Sequence, residues 1–229
     1  MIAIIGVLIA LLLPAVQAER EAAPFMEQGS LYDLYNSCIS KTYTGGGTSA
    51  ASIRGHFGNG IWFKLSIVTD GTSNTLAFSE AAITPKNQAT TIRGGAVIIA
   101  TADDLMDPTL CTQSKDGKYY KSTLPTGVTT ANAEVGFMFD GRSHAGFTTV
   151  LPPNNPSCFQ SLAYGWGIST PTSYHSGGVN AAFLDGSVTF ISETIDAGSS
   201  SAVQGADGQS VYGVWGAMGS KNGGESKHQ

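Results

Sequence analysis

His175 and Asp185 stand with nine residues between them in the stretch YHSGGVNAAFLDGSVTFIS. Imidazole and carboxylate readily hold a metal ion or pass a proton near neutral pH, so this pair is the first candidate for chemistry. Ser176 beside the histidine completes a Ser/His/Asp set on paper. No G-x-S-x-G elbow accompanies it, so a hydrolase centred on His175 and Asp185 rests on residue types alone. His144, in DGRSHAG, is the one plausible partner for a shared metal, because no second histidine or carboxylate lies at ligand spacing from His175. The structural reading is simpler and is preferred: His175 pins the Gly177-Gly178 approach to a hairpin, while Asp185 and Gly186 shape its turn.

A second group offers oxygen ligands. Asp103, Asp104, Asp107 and Asp116 place four carboxylates within fourteen residues, and Ca²⁺ takes roughly six to eight oxygens from flexible loops. The spacing is not that of an EF-hand, and a solvated acidic loop is the preferred reading; no other cofactor is expected. In DGTSNT, Asp70-Gly71 opens a turn and Ser73 or Asn74 caps the chain beyond it, which is preferred over a ligand site. Cys38, Cys111 and Cys158 are odd in number and far apart, which excludes a C-x-x-C metal or redox motif. One disulfide and one free thiol fit an exported chain, with Cys111 and Cys158 favoured as the pair because both lie in loop-like segments.

The elements that must position these residues follow from composition and pattern. Charged residues make up 13% of the 229, against roughly 25% in an average soluble domain. With 29 glycines, the surface must be covered by Gly, Ser, Thr and Asn, as in exported, loop-rich β proteins. The net charge of −5 gives no basic field, which excludes nucleic acid as a partner.

Two apolar-alternating runs, 180–184 and 187–191, flank Asp185-Gly186 and predict a hairpin with a two-residue type I′ turn, with Val179, Ala181 and Phe183 on one face. Thr75, Ala77 and Ser79 alternate with Leu76, Phe78 and Glu80 as a half-buried strand should. Residues 93–101 read as a buried strand, and 103–132 as a polar excursion over the sheet surface. Pro152-Pro153, followed by Asn154 and Pro156, forces a turn-rich strap that cannot sit inside a sheet.

The chain opens on MIAIIGVLIALLLPAV, with no ionisable side chain before Glu19. This run reads as a helix that ends ahead of Pro24. It is at the short limit for a membrane span, which needs roughly 20 residues. Val16-Gln17-Ala18 resembles a signal-peptidase site, but no Lys or Arg precedes the apolar core. A helix apolar on every face needs surroundings to bury it, and identical copies would supply them.

The string IAIIGVLIALLLPAVQAEREAA resembles the N-terminal segment of type IV pilin-like proteins of the DUF1559 family, of planctomycete, lentisphaeral or verrucomicrobial type. PFMEQ, DGTSNT, the DGR block running to LPPNNPSC, the H-x9-DG spacing and the closing YGVWGAMGSKNGGE resemble further family blocks. Family precursors carry a short basic leader, a methylated Phe and an early Glu ahead of this run, and usually a longer helix and connecting region before PFMEQ.

The resemblance implies an α+β protein: a hydrophobic pilin-type α-helix over 1–23, then a pilin-like globular domain over 24–229 with an antiparallel β-sheet and long loops. Ile2, Ile5, Leu8 and Leu12 would be the assembly surface of the helix, with Pro14 loosening it. Asp70, Gly71, Asp140, Gly141, His175, Asp185 and Gly186 fall on family motif positions and are expected to be structural. Tyr212, Val214 and Trp215 should pack on the sheet. The implied function is a non-enzymatic subunit of a type IV pilus-like or type II secretion pseudopilus filament. It would sit in the inner membrane before assembly, then in a surface, extracellular or periplasmic filament. Its partners would be copies of itself, a prepilin peptidase and the pilus or secretion machinery. The alternative is a membrane-anchored extracytoplasmic binding protein that holds carbohydrate or Ca²⁺ in its strap and hairpin loops.

Overall fold

The structure is a computed structural model that describes residues 28–29, 55, 64–83, 90–99, 108–124, 126–132, 146–160, 167–199, 201–202 and 208–224. The fold is α+β. The first sheet is built from β1 (Gln28–Gly29), β2 (Leu76–Ser79), β9 (Gly178–Phe183) and β10 (Val188–Ser192), in that order and antiparallel throughout. The second holds β6 (Val128–Asn132), β3 (Gly95–Ile99), β7 (Cys158–Phe159) and β8 (Gly167–Ile168). A short α1 (Thr109–Gln113) and the ribbon of β4 (Lys115–Asp116) with β5 (Tyr119–Tyr120) lie between β3 and β6, and α2 (Gly213–Gly219) follows β10.

The expectation of an antiparallel sheet holds for the first of these and not wholly for the second, where β3 and β7 run parallel. A parallel pair needs a long crossover, and the residues from 100 to 157 supply it, with α1, β4, β5 and β6 on the way. Residues 103–132 are therefore more than a surface excursion. Cys111 and Ser114 are fully buried, and Tyr120 lies in the second core beside Val97, Leu151 and Ile168.

In β9, Val179, Ala181 and Phe183 are buried together against Leu76, Phe147 and Trp215. The β9–β10 turn departs from the predicted two-residue type. Gly186 N–H donates to Phe183 O (3.0 Å), Phe183 N–H donates to Ser187 O (2.9 Å), and positive φ occurs at Gly186 (+86°) but not at Asp185. This is a three-residue loop over 184–186, a type I turn closed by a glycine bulge, because only one left-handed residue is needed. Nor is β2 half-buried. Leu76, Ala77 and Ser79 are all buried, because β2 is an inner strand covered on both faces.

The two cores are closed by one short stretch near the C-terminus. Tyr212 is fully buried in the second core and Trp215 in the first, with Val214 packed against the first core beside it. Trp215 Nε1 donates to Leu151 O (2.8 Å), so the stretch also grips the strap. Among the described residues no helix is long and apolar enough to cross a membrane. The apolar run over 1–23, with Ile2, Ile5, Leu8, Leu12 and Pro14, lies outside the described residues.

Candidate functional site

His175 lies in the loop between β8 and β9. Ser173 sets the backbone of that loop: its hydroxyl donates to Gly178 O (2.7 Å) and accepts from His175 N–H (3.1 Å). The imidazole, 39% exposed, turns toward the end of β2, where Nε2 lies 3.2 Å from Glu80 Oε1. Asn180 Nδ2 donates to the same oxygen (2.6 Å). Glu80 itself is 4% exposed, and its Oε2 is buried without a hydrogen-bond partner. Its backbone is clamped as well: Glu80 N–H donates to Asn180 O, and Thr172 N–H donates to Glu80 O.

Asp185 is not part of this group. At about 3.3 Å per residue, the six residues of β9 alone separate the two motif ends by roughly 20 Å. The Asp185 carboxylate accepts from Ser187 N–H (2.9 Å) and Ser187 Oγ (2.6 Å), shaping its own turn. Ser176, His175 and Asp185 are therefore not assembled as a triad. Among the described residues no three His, Cys, Asp or Glu side chains converge as metal ligands.

The Asp70 turn docks on that hairpin. Asp185 N–H donates to Thr72 O and Leu184 N–H to Thr75 O. The Asp70 carboxylate receives the backbone N–H groups of Gly223 (2.7 Å) and Gly224 (3.0 Å), while Asn74 Nδ2 donates to Asp70 O (2.7 Å). Asp70 thus ties the first turn to the end of the described chain. Cys111 and Cys158 are joined by a disulfide, with Cα atoms 5.8 Å apart, linking α1 to β7. Asp116 is exposed on β4. Asp103, Asp104, Asp107, Asp140, Gly141, His144 and Cys38 lie outside the described residues.

The strap is organised by Asn154, the one non-glycine residue with positive φ (+61°) among those described. Its N–H donates to Pro171 O, its Oδ1 accepts from Ser173 N–H (3.0 Å), and its Nδ2 donates to Glu193 Oε2 (3.1 Å). The next residue, Asn155, receives Lys115 Nζ (3.0 Å) from the β4–β5 ribbon. Between ribbon, strap and the end of β10 opens a cleft of about 530 Å³, walled by Arg93, Lys115, Lys118, Asn154, Asn155 and Glu193. The Arg93 guanidinium lies 5.8 Å from the ring centroid of Tyr174, whose hydroxyl donates to Ile83 O (3.2 Å).

Sequence reasoning missed Glu80 as a site residue, and with it Arg93, Lys115, Lys118, Tyr174 and Glu193 at the cleft. Glu80 carried a signal, a lone carboxylate inside the apolar stretch LAFSEAA, where a buried charge demands a partner. Arg93 carried none. The family described as Protein of unknown function (DUF1559) matches residues 40–198, more than half of the chain, and the chain belongs to that family. No curated protein and no solved structure matches it.

Proposed function

We propose that the chain is a non-enzymatic structural subunit of a type IV pilus-like filament or of a secretion pseudopilus. One observation carries this reading: residues 1–16 are apolar and uncharged, ahead of a domain rich in Gly and poor in charge. At roughly 25 cal/mol per Å², hiding such a run from water is worth well over about 10 kcal/mol. Lipid hides it before assembly, and the same run of neighbouring copies hides it afterwards. Ile2, Ile5, Leu8 and Leu12 then pass from one apolar solvent to another. Head-to-tail packing that does not close on itself extends into a helical filament.

Within the described domain, β1 pairs with the edge of β2 through Gln28 and Gly29, so the chain joins the first sheet twelve positions after Val16. His175 and Asp185 are both engaged in holding loops, which suits a structural role. The subunit would pass through the inner membrane to a surface, extracellular or periplasmic filament, served by a prepilin peptidase and assembly machinery. Negative-stain microscopy of sheared surface material tests the reading, together with mass spectrometry of the mature N-terminus. Fibres containing this chain and a methylated N-terminal Phe are expected; a cell surface bare of such fibres and an unprocessed chain overturn it.

The binding-protein reading is favoured by one feature, the cleft beside the strap. Its three cations suit an anionic carbohydrate and not Ca²⁺.

A further inference from the structure

Of the twelve Lys and Arg residues in a chain with net charge −5, three line a single cleft. Among the described residues that line it, Arg93, Lys115 and Lys118 stand with one carboxylate, that of Glu193, so this wall of the cleft is basic on an acidic protein. Its volume of about 530 Å³ falls within the roughly 300–1,000 Å³ of small-molecule sites. The polar wall is rigid. Asn154 is fixed by Pro171, Ser173 and Glu193, and Asn155 by Lys115 and by Pro152 O, to which its Nδ2 donates at 3.0 Å. Each amide oxygen keeps a second lone pair for an incoming hydroxyl. Fixed side chains lose little entropy when a ligand arrives.

Beside Arg93 stands Tyr174, 65% exposed and anchored through its hydroxyl to Ile83 O. The guanidinium lies over this ring, 5.8 Å from its centroid, and the ring stands beside the cleft, not in its wall; the ring surface left exposed offers an apolar platform for the C–H face of a sugar. Cations for acid groups, amides for hydroxyls and a ring for the pyranose face together define one ligand class.

We infer that this cleft binds an acidic saccharide, a short glycan bearing carboxylate or sulfate groups. The inference rests on the binding reading and is independent of filament assembly. Isothermal titration of the full chain in a non-ionic detergent tests it, with tetragalacturonate, a sulfated tetrasaccharide, neutral maltotetraose, a tetra-aspartate peptide and inorganic sulfate as probes. Saturable binding of tetragalacturonate or the sulfated tetrasaccharide is expected, and which of the two binds tells the acid group. Binding weakens about tenfold in Lys118→Gln and in Arg93→Gln, tightens in Glu193→Gln, and weakens with added salt. Lys118 is exposed, so its variant folds normally and keeps the test valid should Arg93→Gln disturb Tyr174. Tighter binding of maltotetraose overturns the acidic ligand while keeping a binding protein. Binding of no glycan overturns both. Tetra-aspartate or sulfate bound as tightly as the glycans, or affinity unchanged in Lys118→Gln, also overturns the inference.

Discussion

His175 Nε2 sits 3.2 Å from Glu80 Oε1 across 95 positions of chain, so the loop ahead of β9 is fastened to the end of β2. The carboxylate is the buried partner and the imidazole the half-exposed one, which makes their loss unequal.

Glu80→Ala removes the acceptor for both His175 and Asn180 from a buried position. Urea unfolding should show a loss of about 1–3 kcal/mol. His175→Ala leaves Asn180 in place and should cost less, at most about 1 kcal/mol given the exposure of the ring. A larger loss for His175→Ala than for Glu80→Ala contradicts this ranking.

The Cys111–Cys158 bridge closes a loop of 47 positions. Chain-entropy arguments give about 4 kcal/mol for a loop of that length. Unfolding in the presence of dithiothreitol, or of the Cys111→Ala/Cys158→Ala double variant, should move the urea midpoint down accordingly. An unchanged midpoint means that the bridge does not form in solution.

Burial pushes the Tyr120 hydroxyl well above the ordinary tyrosine range, because a phenolate there would lie in the second core; the backbone hydrogen bond at Ser157 opposes this more weakly. The unfolded chain gives up the proton near pH ~10 while the folded chain holds it. Stability is therefore complete below about pH 10 and falls above it by about 1.4 kcal/mol per pH unit. Tyr120→Phe should flatten that alkaline decline in a pH series of melting curves. At pH 7 it should lower stability by about 1–3 kcal/mol, since Ser157 N–H loses its acceptor.

Trp215 separates packing from hydrogen bonding. Trp215→Phe keeps a ring in the first core but strands the buried Leu151 carbonyl, at about 1–3 kcal/mol. Trp215→Ala adds a cavity and should cost about 3–5 kcal/mol in chemical denaturation. Equal losses for the two variants would show that packing contributes little.

Much of the first sheet was legible in the chain. Val179, Ala181 and Phe183 alternate at period two and Asp185-Gly186 marks the turn, while in the second sheet GAVII announces β3. The turn type was misread because Asp-Gly serves a two-residue and a three-residue loop equally well, and only backbone hydrogen bonds tell them apart. Residues 103–132 looked polar because α1, β4, β5 and β6 are two to five residues long, too short to show a period. Among the described residues their burial rests on scattered side chains, chiefly Cys111, Ser114 and Tyr120, with Leu110, Leu124 and Val128 packed against the second core. Glu80 could be flagged as a buried charge, but its partner on another strand could not be named. The basic cleft left no trace at all: Arg93 and the Lys115 ribbon belong to separate segments, and the net charge of −5 conceals them.

Tyr212 enters one core and Trp215 the other, three positions apart near the end of a 229-residue chain. Neither core can close while that stretch is still within the ribosome, so no earlier portion of the domain should mature on its own during synthesis. A chain stopped after residue 210 should be digested rapidly by trypsin, whereas one stopped after 224 should resist it. The domain is one that must be delivered whole before it can fold.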